Sequence, residues 1–311
     1  MPATGDVKVM KAIVAEQGAG PSLTDMPYPH AAENDVIVRV HAAGFTPGEL
    51  DWPGTWADRS GRGRNPSIPG HEVAGVVSEL GYGTTGLTVG QRVFGITDWT
   101  RNGTLAEYVA VEARNLAPLS AGVDYAAAAA LPISGLTAWQ GLFVHGQIDA
   151  GQSVLIHGAA GAVGSVAVQL AHEAGAYVIG TGRYGQRDQV LGLDADYFVD
   201  LTTDKLEDVG KVDVVLDVIG GEVLDRSAQL VRAGGSLVTI AEPPRVIPKG
   251  ARAVFFVVEA DRAQLAHLEI KLREGKIRQR IGSVLPLEDA PIAFDPDRKN
   301  LGKTIVQVVA T

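Results

Sequence analysis

The stretch Ser153-Val-Leu-Ile-His-Gly-Ala-Ala-Gly-Ala-Val-Gly-Ser-Val-Ala-Val-Gln-Leu-Ala-His-Glu-Ala-Gly175 decides the fold. It reads as strand, tight turn and helix. The turn holds Ala159-x-Gly161-x-x-Gly164, a variant of GxGxxG with alanine first. Gly161 would let the backbone approach a pyrophosphate, and Gly164 would let the helix pack close on the strand. Val163, Val166, Ala167, Leu170, Ala171 and Ala174 recur at helical spacing, and Gly175 stops the helix. Phosphates would sit at the helix start, against Ala159, Ala160, Gly161, Ala162, Val163 and Gly164, where free N–H groups and the dipole favour negative charge. Glycine–alanine turns also join strands to helices for packing alone. The position after the first strand of a βα run points to a ligand instead.

Outward from this turn, strand-like runs alternate with helical ones: Tyr177-Val-Ile179, Tyr197-Phe-Val199, Val212-Asp-Val-Val-Leu-Asp-Val218, Ser236-Leu-Val-Thr-Ile240 and Val254-Phe-Phe-Val-Val258. Their near-continuous apolarity marks strands covered on both faces, and the alternation predicts a doubly wound parallel sheet. Strand ends at the carboxyl side face the ligand in such a sheet, so Ile240, Ala241, Phe256, Val257 and Val258 are expected beside a cofactor, with ordinary core as the other reading of the phenylalanines. Thr137 is expected to open a helix near the phosphates.

The end of the second strand selects the nucleotide. An NAD site carries an acid there, about 20 residues on, for the ribose 2′-OH. This chain reads Gly180-Thr-Gly-Arg-Tyr-Gly185, with no acid. Gly182, Arg183 and Tyr184 stand where a 2′-phosphate and adenine would lie, and Arg187 is a further cation nearby. The reading is NADP(H). A solvated surface arginine is the alternative for Arg183.

The first 120 or so residues differ. Lys11-Ala-Ile-Val-Ala15, Asp35-Val-Ile-Val-Arg-Val-His41, Glu72-Val-Ala-Gly-Val-Val-Ser78, Gln91-Arg-Val-Phe94 and Leu105-Ala-Glu-Tyr-Val-Ala-Val111 are short strands between turn residues, which predicts a small, bent β domain. Trp52 to Pro69 has no periodicity and reads as a long loop, functional or mobile. Ala126 to Ala130 reads as helix, as does Arg262 to Glu274; polar loops and a strand Thr304-Ile-Val-Gln-Val-Val309 follow. Residues 1–9 read as an extension before the first strand.

Composition narrows the classes. The 311 residues include no cysteine, 27 basic and 36 acidic side chains, for a net charge of −9. Disulfides, thiolate metal sites and a cysteine nucleophile are excluded. The acidic balance leaves no overall basic footprint for nucleic acid or an anionic membrane. No run approaches the ~18 apolar residues of a membrane span, and the N-terminus lacks a signal-like apolar core, so the expectation is a cytoplasmic protein. A length above roughly 250 residues predicts two domains.

The chain resembles the medium-chain dehydrogenase/reductase superfamily, in its zinc-independent quinone oxidoreductase branch. The resemblance rests on Ala42-Ala-Gly-Phe-Thr-Pro47, Pro69-Gly-His-Glu-Val-Ala-Gly-Val-Val77, Val89-Gly-Gln-Arg-Val-Phe-Gly95, Gly103-Thr-Leu-Ala-Glu-Tyr-Val109, Ala129-Ala-Leu-Pro-Ile-Ser-Gly-Leu-Thr-Ala-Trp139, the glycine turn, Val212-Asp-Val-Val-Leu-Asp-Val-Ile-Gly-Gly221 and Gly234-Gly-Ser-Leu-Val-Thr-Ile240. It implies an α/β protein: a GroES-like β-rich catalytic domain, residues 1–119 with 261–311 returning, around a Rossmann domain at 120–260, with the active site in the cleft between them. It further implies NADPH, reduction of a quinone or enone as small-molecule partner, and a homodimer meeting at the sixth Rossmann strand. An enoyl reductase of a biosynthetic pathway is a rival of the same chemistry. A weakly catalytic NADPH-binding sensor or structural protein is a rival of another class.

Two departures bear on the site. Gly70-His71-Glu72 matches the metal histidine of zinc-dependent relatives, yet the usual cysteine partners are absent. No metal site is therefore expected; His71 either binds a metal or, as the residues favour, hydrogen-bonds in place with Glu72 pairing or capping. The substrate loop of quinone reductases reads Gly-x-Asn-x-x-Asp, whereas this chain reads Gly44-Phe-Thr-Pro-Gly-Glu-Leu-Asp51. Thr46 is the first candidate donor to the developing oxyanion and Asp51 the second, unless both merely build the loop. Phe45, Trp52, Trp56 and Trp99 are the candidate walls of an apolar substrate pocket, or else local packing, and the loop holding two of them is a candidate lid. Arg59, Arg62 and Arg64 are either solvated or poised for an acidic substrate group.

Overall fold

The computed structural model describes residues 8–46, 48–295 and 302–309. Most of the expected N-terminal extension, and Pro47 of the substrate loop, lie outside them. The described residues form two compact units. One falls within Met1–Pro132, Ala260–Arg273 and Arg280–Thr311, the other within Ile133–Glu259 and Glu274–Gln279.

The first unit opens with β1 (Val9–Val14) and β2 (Ser22–Pro27), an antiparallel hairpin. β3 (Asp35–Gly44) follows, then a 3₁₀ turn at Glu49–Asp51 and the single turn α1 (Pro53–Trp56). β4 (Glu72–Leu80), β5 (Arg92–Ile96), β6 (Tyr108–Glu112) and β7 (Leu116–Pro118) lead to α2 (Tyr125–Ala129), whose first turn is capped by the Asp124 carboxylate accepting from the Ala127 N–H. β3 is the hub, pairing antiparallel with both β4 and β6. Val36, Val38 and Val40 send one face of it into a core shared with Val73, Val93, Leu105 and Val111, while Ile37 on the other face is buried as well, as befits a strand in the middle of a sheet.

The second unit starts within α3 (Pro132–Trp139), which runs on into a π-type turn at Gln140–His145. Then come β8 (Ser153–Ile156), α4 (Ala162–Glu173), β9 (Tyr177–Gly182), α5 (Arg187–Leu191), β10 (Tyr197–Asp200), β11 (Val212–Asp217), α6 (Gly221–Ser227), β12 (Val231–Thr239) and β13 (Arg252–Phe255). The sheet order is β10-β9-β8-β11-β12-β13, with every neighbouring pair parallel. The order reverses beside β8, and the turn after β8 therefore sits at the topological switch point. Val154, Leu155 and Ile156 of β8 are fully buried, as a strand covered on both faces must be.

The chain then adds α7 (Arg262–Arg273), β14 (Ile281–Pro286) and β15 (Lys303–Gln307) to the first unit. β15 pairs antiparallel with β3 at Ala42–Gly44 and parallel with β14, which extends the seven-stranded sheet. α7 is tied down by Arg262, whose guanidinium donates to the Leu116 and Ala113 carbonyls.

Several expected elements shift. β14 occupies part of the expected polar loops, and β2 and β7 come where no strand is predicted. The sixth strand stops at Phe255, so Phe256–Val258 lie beyond it. Phe256 still donates its N–H to the Thr239 carbonyl at 3.2 Å, and just beyond the segment the Gln140 side chain donates to the Glu259 carbonyl at 2.8 Å and accepts its N–H at 3.1 Å.

Candidate functional site

The turn after β8 is built by glycine. Gly158 takes a left-handed φ of 67°, and Gly161 caps α4 with its N–H donating to the Gly158 carbonyl at 2.9 Å. A Cβ on Gly164 would lie 2.2 Å from the Gly158 carbonyl oxygen, so only glycine brings the helix this close to the strand. A Cβ on Gly161 would meet only that oxygen, at 3.2 Å; the residue is exposed, and its cradle is open. Ala159 is buried, its N–H donating to the Thr181 carbonyl at 3.0 Å. Ala162 is exposed and Val163 half-buried at the free N-terminus of α4. These residues fit a pyrophosphate on an observation of shape: open at Gly161, closed at Gly164.

At the tip of β9, Gly182 lies under the Gln186 side chain, which accepts from the Arg183 N–H at 2.9 Å. Arg183 and Tyr184 are exposed. Asp200, at the end of the neighbouring β10, turns inward; its carboxylate accepts from the Thr202 N–H and hydroxyl at 2.9 and 2.6 Å, which holds it below the usual carboxylate range.

At the tip of β11, Asp217 is buried. It accepts from the Gly220 and Ile219 N–H groups and, at 2.8 Å, from the Thr239 hydroxyl, which in turn accepts from the Ala241 N–H at 3.1 Å. Burial pushes its pKa up despite these bonds. Asp217 thus pins the chain at Ile240 and Ala241, just past the end of β12 at Thr239. Phe256 is packed against the His145 ring, 4.5 Å between centroids, and reads as core; Val257 is exposed and Val258 half-buried. Thr137 does not open a helix: it lies inside α3, which starts at Pro132, and its hydroxyl donates to the Ile133 carbonyl at 2.6 Å.

His157 follows β8 and was not singled out by sequence. It is wholly buried, with Nδ1 3.0 Å from the Thr181 Oγ1 and Nε2 2.7 Å from the Ser227 Oγ. The Ser227 hydroxyl donates to the Val223 carbonyl, so it accepts from Nε2–H, and Nδ1 accepts from Thr181. One neutral tautomer satisfies the whole chain of bonds, and burial pushes the pKa down to about 3.

In the first unit three rings come together. The His71 imidazole is stacked on Trp52 at 6.0 Å and stands edge-on to Trp99 at 5.1 Å, while the two indoles meet edge-to-face at 5.4 Å. Nδ1 of His71 and Oγ1 of Thr97 share a hydrogen bond of 3.0 Å. Burial, then the Arg64 charge, pushes the His71 pKa down to about 3. Trp52 and Trp99 are half-buried, and His71 between them is buried. The other two candidate walls are elsewhere. Phe45, the residue after the end of β3, is in the core, stacked on Phe294 at 4.7 Å. Trp56 donates its indole N–H to the Leu50 carbonyl at 2.6 Å and packs within its own loop. Thr46 is half-buried, Asp51 exposed.

The loop after Trp52 is tied to its own unit. Ser67 and Ala15 exchange backbone hydrogen bonds of 2.9 and 3.0 Å, and the Arg64 guanidinium donates to the Gly54 carbonyl, the Ser67 hydroxyl and the Asn102 side chain. Arg59 pairs with Asp98 at 2.8 Å and Arg62 with Asp58 at 3.0 Å. Glu72 is buried and ion-paired with Lys303, whose ammonium also donates to the Ala130 carbonyl at 3.0 Å. Among the described residues no group of three or more His, Cys, Asp or Glu side chains lies together as a metal site, and no helix is long and apolar enough to cross a membrane.

Residues 32–121 match the alcohol dehydrogenase GroES-like domain family, and residues 193–306 match the zinc-binding dehydrogenase family. The chain is 34% identical over 282 residues to the 2-methylene-furan-3-one reductase of Solanum lycopersicum, covering 86% of this chain and 68% of that one. It is 34% identical over 264 residues to the chloroplastic NADPH-dependent alkenal/one oxidoreductase of Arabidopsis thaliana, covering 80% of this chain and 65% of that one. The quinone oxidoreductase structure from Coxiella burnetii superposes with a TM-score of 0.86 at 29% identity, covering 97% of this chain and all (100%) of that one. A β-rich unit, a parallel sheet with its switch-point glycine turn, and these matches converge: the chain belongs to the medium-chain dehydrogenase/reductase superfamily, oxidoreductases that use nicotinamide cofactors on small molecules.

Proposed function

We propose that this protein is an NADPH-dependent, metal-independent reductase of quinones or conjugated enones. Residues 120–260 carry the cofactor, and 1–119 with 261–311 supply the groups that meet the acceptor. The observation that carries the cofactor reading is the glycine turn: open at Gly161, closed at Gly164, at the free N-terminus of α4. Gly158, Gly161, Ala162 and Val163 would hold the pyrophosphate, and Arg183 with Tyr184 the 2′-phosphate and adenine. Exposed Arg183 at the tip of β9, with the adjacent Asp200 engaged by Thr202, supports NADPH over NADH. The name of the Arabidopsis relative supports it as well.

Bound nicotinamide supplies the hydride. Thr46 stands as donor to the oxygen on which charge develops, and Trp52 with Trp99 orients a planar acceptor. The metal-independent reading rests on the neighbours of His71, a threonine hydroxyl and two indoles, which make a poor donor set for zinc. A homodimer meeting along β13, in the cytoplasm, completes the proposal.

Steady-state oxidation of NADPH and NADH against quinones and enones is the test. Preference for NADPH that Arg183→Ala abolishes is expected. Equal kcat/KM for both cofactors, unchanged in Arg183→Ala, overturns the cofactor reading. Tight NADPH binding without turnover of any acceptor overturns the reductase.

A further inference from the structure

Glu49 is fully buried, yet neither the glycine turn nor the aromatic box uses it. It opens the 3₁₀ turn at Glu49–Asp51, three residues after Thr46. Its carboxylate accepts from the Gly70 N–H at 2.8 Å and, at the longer 3.5 Å, from the Thr46 N–H. Its backbone is tied at both ends: the N–H donates to the Thr46 carbonyl at 3.0 Å, and the carbonyl accepts from the Thr55 hydroxyl at 2.5 Å. Gly70 is held from the other side by Thr104, whose N–H donates to its carbonyl at 2.9 Å, and a Cβ on Gly70 would lie 2.7 Å from the Thr104 hydroxyl. Moving Gly70 therefore moves His71, the next residue, and with it the ring on which Trp52 and Trp99 rest.

We infer that Glu49 is a positioning residue, whose single buried carboxyl fixes Thr46 on one oxygen and the Gly70–His71 turn on the other, and so sets the oxyanion donor in register with the aromatic box. The inference rests on the reductase reading above. Reach matters: the Glu49 side chain is long enough to meet the Gly70 N–H, a partner 21 residues away in sequence. Bond polarity matters equally. Two N–H groups converge on the carboxyl, and a side chain that offers an N–H of its own faces one of them donor to donor.

The test compares Glu49→Gln and Glu49→Asp with the parent chain, each normalised to its NADPH-binding fraction. The assays are run at pH 9, where the parent carboxyl, pushed up to about 8, is ionised and accepts from both N–H groups; there Glu49→Gln keeps the reach to Gly70 but turns an amide N–H toward Thr46. Expected is at least a tenfold fall in kcat/KM with a quinone acceptor, an unchanged Kd for NADPH and a near-parental near-UV tryptophan spectrum. Glu49→Asp cannot span to Gly70 and should alter the near-UV circular dichroism of Trp52 and Trp99 as well. Parental kcat/KM within twofold in NADPH-binding Glu49→Gln, or an unaltered tryptophan spectrum in Glu49→Asp, overturns the inference. Were the parent chain to bind NADPH without turning over any acceptor, the reductase reading would fall by itself, and the Glu49→Asp spectrum would still decide whether Glu49 sets the His71 turn.

Discussion

The imidazole of His71 and the indole of Trp52 are stacked with their planes 14° from parallel, and Trp99 closes a third side at 75° to the histidine. Ring pairs in such offset and edge-to-face arrangements contribute about 0.5–1.5 kcal/mol beyond the area they bury. On the proposed function, a planar acceptor stacked on the indoles would gain a contact of the same kind. Trp52→Ala and Trp99→Ala should each raise KM for an aromatic quinone roughly two- to tenfold, the equivalent of that energy, and change KM for a small aliphatic enone far less. Equal effects on both acceptors in steady-state assays would show that the indoles do not stack on the substrate.

The glycine turn separates two roles within one motif. Gly164→Ala drives a methyl to 2.2 Å from the Gly158 carbonyl oxygen and should cost about 1–3 kcal/mol of stability or more. Gly161 has φ −78°, a value any residue adopts, so Gly161→Ala should melt near the parental temperature. Its loss should show in binding, as a weaker Kd for NADPH. Thermal melts and NADPH titrations of the two variants separate packing from ligand approach.

Two buried histidines make stability depend on acid. His71 and His157 each have a pKa pushed by burial from 6.5 to about 3. The unfolded chain binds their protons between those values and the native chain does not. The stability they contribute is complete above pH 6.5 and is lost as pH falls toward 3. Each adds a slope of about 1.4 kcal/mol per pH unit in that window. Glu49 acts in the opposite sense: with its carboxyl pushed up to about 8 the native chain holds an extra proton, and stability falls as pH rises from about 4.5 to 8. Urea unfolding at pH 5, 6 and 7 should show a shallower acid slope in His157→Asn, whereas Glu49→Gln should lose less stability than the parent between pH 6 and 8.

Glu72 depends on Lys303. Both are buried, and removing one partner leaves a charge without compensation, at about 3–5 kcal/mol. Lys303→Met should therefore be strongly destabilising. The double variant Lys303→Met with Glu72→Gln should recover most of the loss, because no charge remains to be desolvated. A double variant no more stable than Lys303→Met, measured by chemical denaturation, would assign the effect to packing around the lysine stem.

How much of this was legible depended on the range of the interaction that builds each part. The inner strands β8 and β11 of the parallel sheet announce themselves by near-continuous apolar runs, because they are buried on both faces. β2 does not: its Ser22–Pro27 residues are mostly exposed, and it is held by backbone pairing with β1, the Lys11–Asp25 ion pair and Met26 packed on the adjoining core. The glycine turn is legible because its steric demands act within seven residues, Gly158 to Gly164. Glu49 is not, since its partner is a backbone N–H 21 residues away, which no residue type records. Phe45 and Trp52 looked alike as pocket aromatics. What divides them is a distant partner: Phe45, just past β3, stacks on Phe294 near the other end of the chain, a contact no local pattern records. Thr137 is a related case: its place inside α3, and not at the helix start, follows from a helix that already begins at Pro132, and its hydroxyl donates to the carbonyl one turn back.

β15 has a consequence for the order in which the protein is made. It is the strand that pairs with β3 at Ala42–Gly44, and it brings the ammonium that neutralises Glu72. Both partners are synthesised early, but the ribosome must make all of the parallel-sheet unit before Lys303 emerges. At about 5–20 residues per second the early β segment waits with a sheet edge uncovered and a buried carboxylate uncompensated. The parallel-sheet unit needs only Glu274–Gln279 beyond its main stretch and can fold first. Nascent chains should therefore acquire nucleotide affinity before they acquire a finished aromatic box, and the early segment is where a chaperone would be needed.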